Sequence, residues 1–168
     1  MDVVLRRQGE RMIFEIEPHR GIGPVSFGMT RSEIVAAMAK CGGGSPVARN
    51  METDCFYENA FQVSFGDAGR VDFIEVSSGF PAEIRFAGRD VFDLHADDLL
   101  RLIRDIEQED PALSEPDDSY VFSGLILTLW GRDEQYDYKG GGQRPVFAAV
   151  GIGAPSYLAA IRTIHKGA

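Results

Sequence analysis

The chain has 168 residues, 44% of them hydrophobic, with 17 Lys and Arg against 26 Asp and Glu, a net charge of −9. That length suits one domain, or two small halves sharing a core, and no run of 18 apolar residues is present to span a membrane. The charge has an address: residues 90–120 hold eleven acids and two arginines, themselves summing to −9, which argues against nucleic acid and permits a basic protein partner.

In chain order, Met1-Asp2-Val3-Val4-Leu5-Arg6-Arg7 lacks the long apolar middle and small-residue cleavage site of a secretory signal, so the expectation is a cytoplasmic protein. Asp2 to Arg7 and Arg11 to Glu17 read as strands. In the second, Met12, Phe14 and Ile16 share one face, and Pro18 ends it. Gly21, Gly23, Pro24 and Gly28 shape a loop that leads into a helix. Thr30 and Glu33 have capping-box spacing, Met29 and Ile34 occupy the hydrophobic-staple positions, and Gly42-Gly43-Gly44 stops the helix. Gly-x-Gly before a helix can cradle a phosphate, but no Gly-x-Gly-x-x-Gly and no P-loop lysine follow, so steering glycines are the better account.

A polar connection from Gly42 to Asp54 leads to a meander: Cys55 to Tyr57, Phe61 to Phe65 and Arg70 to Ser77, with a hairpin turn at Gly66-Asp67-Ala68-Gly69. After a break at Gly79 to Glu83, Ile84 to Phe86 and Arg89 to Phe92 form a hairpin about Ala87-Gly88. Leu99, Leu102, Ile103 and Ile106 then fall at helical spacing, behind Asp97 and Asp98 in the first turn and before Pro111. An acidic loop, strands at Tyr120 to Phe122 and Leu125 to Trp130, a long loop from Gly131 to Arg144 and a strand from Pro145 to Gly151 follow. Pro155 opens a closing helix, 155–165, with Leu158, Ile161 and Ile164 on one stripe.

The two halves overlay. Phe27 to Met38 matches Phe92 to Ile103, Phe61 to Phe65 matches Leu125 to Leu129 one residue out of step, and Phe73 to Val76 matches Phe147 to Val150. The expectation is an α+β single domain of two tandem helix-strand-strand-strand units, about 20–78 and 84–151, forming one antiparallel sheet with helices on one face. His95 stands where Thr30 stands in the first unit and reads as an imidazole cap. With Asp93, Asp97 and Asp98 it suggests a metal site only weakly, since no second His lies close in sequence. No metal or cofactor is expected.

The Gly28-Met29-Thr30-x-x-Glu33-Ile34 helix start, followed by a three-stranded meander, resembles the small outer-membrane-assembly lipoproteins, and two such units in tandem resemble the fold of beta-lactamase inhibitory protein. With Gly21-x-Gly23-Pro24 and Leu129-Trp130, the chain is also similar to a group of small uncharacterised bacterial cytosolic proteins. The likeness covers about residues 20–150, and what it implies is a scaffold used for binding proteins. The chain lacks a lipidation cysteine and the cysteine-paired loops of the inhibitor, so neither of those functions carries over.

The halves differ where function is expected. Opposite the core face, the second-unit strand bears Ile126, Thr128 and Trp130, where the first has Gln62 and Ser64, and Tyr136 and Tyr138 follow in the long loop. An apolar, aromatic sheet face suits a protein partner, and Asp117 and Asp118 suit a basic one, as in an immunity or inhibitor protein. The alternatives are a small-molecule sensor or enzyme with a pocket near Trp130, and a homodimer through the same face. No Gly-x-Ser-x-Gly, His-Glu-x-x-His or Cys-His signature supports catalysis. Cys41 and Cys55 read as reduced, with one bridge between them as the other reading.

Overall fold

The structure, a computed structural model, describes residues 12–114, 119–132, 135–137 and 144–166. The fold is α+β, with three helices and two principal sheets among the described residues. The larger sheet has eight antiparallel strands in the spatial order β10-β11-β12-β15-β7-β6-β5-β4. These are β4 (Val47–Ala48), β5 (Thr53–Phe56), β6 (Phe61–Phe65), β7 (Val71–Ser77), β10 (Ala112–Ser114), β11 (Ser119–Phe122), β12 (Leu127–Trp130) and β15 (Ala149–Gly153). The smaller sheet runs β3-β2-β1-β8-β9, from β1 (Ile13–Glu17), β2 (Gly21–Ile22), β3 (Val25–Ser26), β8 (Glu83–Phe86) and β9 (Arg89–Asp90). A separate hairpin, β13 (Gln135–Asp137) with β14 (Arg144–Val146), connects β12 to β15 along the chain.

The large sheet is symmetric in register about its middle. β7 and β15 pair antiparallel, with Val76 opposite Val150, Glu75 opposite Gly151 and Ile74 opposite Ile152. Outward on one side, Phe61 faces Val76 and Val63 faces Ile74. On the other side, Leu127 faces Ile152 and Leu129 faces Val150. One step further, Phe56 opposite Phe61 is matched by Phe122 opposite Leu127. Strand alternation puts all of these apolar residues on one face, and there they join the buried core. Helices α1 (Arg31–Ala39) and α2 (Ala96–Glu107) contribute Ile34, Met38, Leu99 and Ile103 to it. The small sheet adds Phe14, Ile22, Val25 and Ile84, with Phe14 edge-on to Phe61 at 6.0 Å between ring centroids. Each such side chain is worth roughly 1.5–3 kcal/mol of burial.

Both helix starts are built as their residues dictate. The Glu33 amide donates to Thr30 Oγ1 at 3.4 Å, and the Thr30 amide donates to Glu33 Oε2 at 2.8 Å, closing the capping box. His95 Nδ1 accepts from the Asp97 amide at 3.1 Å, so the imidazole caps α2.

Several features depart from the expectations of sequence. The N-terminal strand and the Ile84 hairpin do not extend the large sheet. They meet as a parallel pair, Phe14 opposite Ile84, in a second sheet. Gly21 to Ser26 is hydrogen-bonded as β2 and β3 rather than a bare loop, and Gly21 is required there because a Cβ would run into the Val25 carbonyl. The long loop contains β13, and the final strand is split into β14 and β15. The expected strand at residues 2–7 lies outside the described residues. Helix α3 (Pro155–Lys166) packs on β7 and β15 from the face opposite the core, so the helices do not all lie on one side. The two cysteines are free thiols, Cys55 buried and Cys41 half-buried.

Candidate functional site

The outer face of the large sheet is made of the residues that alternate with the core. Register arranges them in three rows across the strands. One row is Ser64, Phe73 and Gly153, ending near Ile126. The middle row is Cys55, Gln62, Glu75, Gly151, Thr128 and Val121. The third is Ser77, Ala149, Trp130 and Ser119's neighbourhood at the end of β11.

Helix α3 covers the first row. The Tyr157 ring stacks on Phe73 with centroids 4.1 Å apart and planes 20° from parallel. Gly153 makes this possible, because the space its Cβ would take is filled by the Tyr157 ring and Ile126 Cγ2. Gly151 does the same for the middle row: a Cβ there would lie 2.5 Å from Phe73 Cζ and 2.7 Å from Thr128 Oγ1. The helix is anchored through backbone as well, since the Ala154 amide donates to the Asp72 carbonyl at 2.7 Å.

The charge under and beside α3 is acidic. Burial raises the Glu75 carboxyl above its ordinary value, with Arg49 pulling the other way. Burial also raises Asp72, helped by Asp67. The Tyr157 phenol is pushed up to about 12 by burial, then by Glu75 and Asp72. Arg49 Nη1 donates to Gln62 Oε1 at 2.8 Å, extending the polar middle row toward the edge of the sheet.

The residues expected at a partner site separate. Trp130 lies on the outer face and is 43% exposed. Thr128 is on the same face, half-buried against Gly151. Ile126 is a correction: it precedes β12 in the turn, has φ of 51°, and is only 5% exposed, so it supports α3 rather than an open surface. Tyr136 is on β13 opposite Pro145, in the separate hairpin. Tyr138, Asp117 and Asp118 lie outside the described residues. Sequence reasoning passed over Phe73 and Glu75, although their alternation with the core residues Ile74 and Val76 would have placed them on this face.

The acidic stretch is tied into the fold. Asp97 pairs with Arg132, and Asp93 with Arg144 at 3.5 Å. Asp98 pairs with Arg101 at 2.9 Å and Asp110 with Arg104 at 2.7 Å. Glu107 Oε1 accepts from the Gly124 amide at 2.7 Å, bracing the turn before β12. In the first half, buried Asp54 holds Arg31 Nε at 2.7 Å while that guanidinium lies 4.5 Å over the Phe65 ring.

Among the described residues, two clefts have linings that do not include Trp130. One, of about 280 Å³, is lined by Ser78, Phe80, Pro81, Glu83, Asp90 and Phe92. The other is a shallow apolar hollow floored by Arg31 and Asp54, with Pro46, Ala48 and Met51 around it. Among the described residues, no group of three or more His, Cys, Asp or Glu side chains is placed to hold a metal ion, and no helix is long and apolar enough to cross a membrane. Compared with known proteins, the chain matches no protein-family model, no curated protein and no solved structure.

Proposed function

We propose that this chain is a non-catalytic protein-binding module whose docking surface is the part of the outer sheet face around the exposed Trp130. The observation that carries the proposal is the exposure of a tryptophan, 43%, on the outer face of an eight-stranded sheet, two rows away from the row that the chain's own helix covers. Tryptophan on a preorganised surface has two torsions to lose on docking and a large apolar area to bury, the properties of a binding hot spot. Thr128 on the same strand, and Ser77 beyond Ala149 in the same row, supply hydroxyls that suit the polar rim of an interface.

The likeness of the helix starts and meanders to beta-lactamase inhibitory protein belongs to the same proposal. The mirrored strand order and registers support two duplicated units. An immunity- or inhibitor-type role would draw on the net charge of −9, with Asp117 and Asp118 steering a basic partner and Tyr136 and Tyr138 as further contact residues. The cytoplasm is the proposed location.

The test is affinity purification with the tagged chain beside a Trp130→Ala variant, followed by reconstitution of any retained protein in purified form. The expected result is a single stoichiometric protein that rebinds the wild type and binds the variant at least tenfold more weakly. A reconstituted partner that binds both equally would remove Trp130 from the interface.

A further inference from the structure

Strand β4 is the last of the large sheet, and its backbone is only half used. The Arg49 amide donates to the Thr53 carbonyl at 2.9 Å. Hydrogen-bonded pairs alternate along an antiparallel ladder, so the next pair, Ala48 opposite Asp54, has no bond between its members. Asp54 turns its backbone to Val63 on β6. Ala48 turns its N–H and C=O to the open edge, where no described residue meets them. Two residues back, Pro46 has no N–H to offer, which confines the unpaired edge to Ala48. Asp54 and the core residue Val63 share a face of the sheet, and the Ala48 side chain lies on that face too. There Pro46, Ala48 and Asn50, each two residues apart, line the shallow hollow with Met51, Arg31 and Asp54. The hollow is the space that an inward side chain of a ninth strand would fill.

The floor of the hollow is polar and neutral as a whole. Buried Asp54 accepts from Arg31 Nε through Oδ2, and Arg31 Nη2 donates to the Met51 carbonyl at 3.0 Å. Among the described residues, Arg31 Nη1 and Asp54 Oδ1 have no hydrogen-bond partner. An anion in the hollow meets the Asp54 charge, and a cation meets that of Arg31. The complement is an uncharged group with donor and acceptor side by side, a carboxamide. We infer that the β4 edge takes an extended segment of a partner protein, which pairs with Ala48 and places a glutamine side chain in the hollow, its amide donating to Asp54 and its carbonyl accepting from Arg31. In strand addition of this kind the backbone bonds hold the segment and the side-chain pocket selects it. The incoming strand lies two strand spacings, roughly 10 Å, from β5, so glutamine spans the Ala48 methyl where asparagine falls short. Met51, 92% exposed, is an adaptable apolar wall for the inserted chain. The residues on either side of the glutamine point to the outer face, where Val47, 68% exposed, offers a cross-strand contact. This surface is independent of the Trp130 face, since β15, β7, β6 and β5 lie between β12 and β4.

The probe is the pentapeptide Thr-Val-Gln-Val-Thr, acetylated and amidated at its ends, titrated into the isotope-labelled full-length chain and followed by NMR. The expected result is a saturable shift of the Ala48 amide resonance, with slowed exchange of that amide. Peptides with Glu, Lys or Leu in place of the glutamine should each bind about tenfold more weakly, the cost of one hydrogen bond to a charged group left unmade. Methylation of the glutamine's backbone nitrogen removes the donor to the Ala48 carbonyl and should weaken binding to a similar extent. Ala48→Pro deletes an N–H that the sheet's own ladder does not use, so the fold is kept and binding is lost. No shift at millimolar peptide overturns the inference, and so does binding that survives Ala48→Pro. Equal binding by the Glu, Lys or Leu peptide overturns the carboxamide class. Trp130→Ala should bind the pentapeptide as the wild type does, which separates failure at this edge from failure of the Trp130 surface. Self-association of the chain without peptide, abolished by Ala48→Pro in sedimentation equilibrium, overturns the inference in favour of a second copy at the edge.

Discussion

Glu75 is held half-buried at the midpoint of the outer face, and its carboxyl lies above the ordinary 4.5 because burial disfavours the charged form. A raised folded value means that the native state binds this proton more tightly than the unfolded chain. Its contribution to stability is therefore full below 4.5 and is lost as pH rises through the raised value. Asp72, raised by burial and Asp67, acts in the same sense. Glu33, lowered by its capping hydrogen bonds with Thr30, acts in the opposite one, losing its contribution as pH falls. Glu75→Gln removes one term cleanly: the variant should gain stability relative to wild type at pH 7 and lose that advantage by pH 4, in urea titrations at both pH values. A difference that does not change with pH would mean that Glu75 ionises equally well folded and unfolded. At the other end of the same scale, Thr30→Ala deletes the cap of α1 and should cost about 1 kcal/mol, with Thr30→Ser nearly neutral. Gly151→Ala tests the close approach of strands and rings. A methyl there displaces Phe73 and Thr128, and overpacking of this kind costs about 1–3 kcal/mol.

At the scale of elements, α3 is the part whose role is least determined by its own sequence. Its stripe of Leu158, Ile161 and Ile164 announces an amphipathic helix, but a stripe does not say which side of a sheet it will meet. The deciding residues are elsewhere: Phe73 on β7, and the glycines of β15 that leave room for two rings. Removing the stack with Tyr157→Ala should loosen α3, read as faster proteolysis within residues 155–166 while the strands stay protected. Cleavage at the wild-type rate would place the docking energy in other contacts. The elements that sequence predicted well are those with local causes, such as the Thr30–Glu33 box, the His95 cap and the alternation of Phe61, Val63 and Phe65. Those it missed depend on distant partners. β2 and β3 are two residues each and exist through their pairing with β1 and with one another. Ile126 fits an extended run by composition, yet the turn braced by Glu107 forces it into a left-handed conformation. The pairing of Asp97 and Asp93 was not legible in the acidic stretch itself because their arginines, Arg132 and Arg144, come from beyond β12. The candidate site followed the same division: Trp130 was legible from alternation, whereas the coverage of the Phe73 row by α3 was not.

Across the whole molecule, the central β7–β15 pair decides whether the two halves behave as one body. Val76 and Ile74 of the first half lie directly against Val150 and Ile152 of the second, all buried. The small sheet repeats the arrangement, joining Phe14 to Ile84 through its parallel pair. A core that is continuous across both junctions cannot lose one half without exposing the apolar face of the other, so unfolding should be a single cooperative transition. Met38 is fully buried in the first half, under α1, and Met38→Ala should cost about 2–5 kcal/mol. Cooperativity requires the second half to register that loss in full. Under native conditions in low denaturant, the slowest-exchanging amides of β11 and β12 should lose protection by the same free energy as those of β5 and β6. If β11 and β12 kept their wild-type protection while β5 and β6 lost theirs, the halves would be separately stable units. The outer face would then be a junction able to open between β7 and β15, the two strands on which α3 packs. If all four strands weaken together, the outer face is a rigid platform on which Trp130 keeps a fixed position relative to α3.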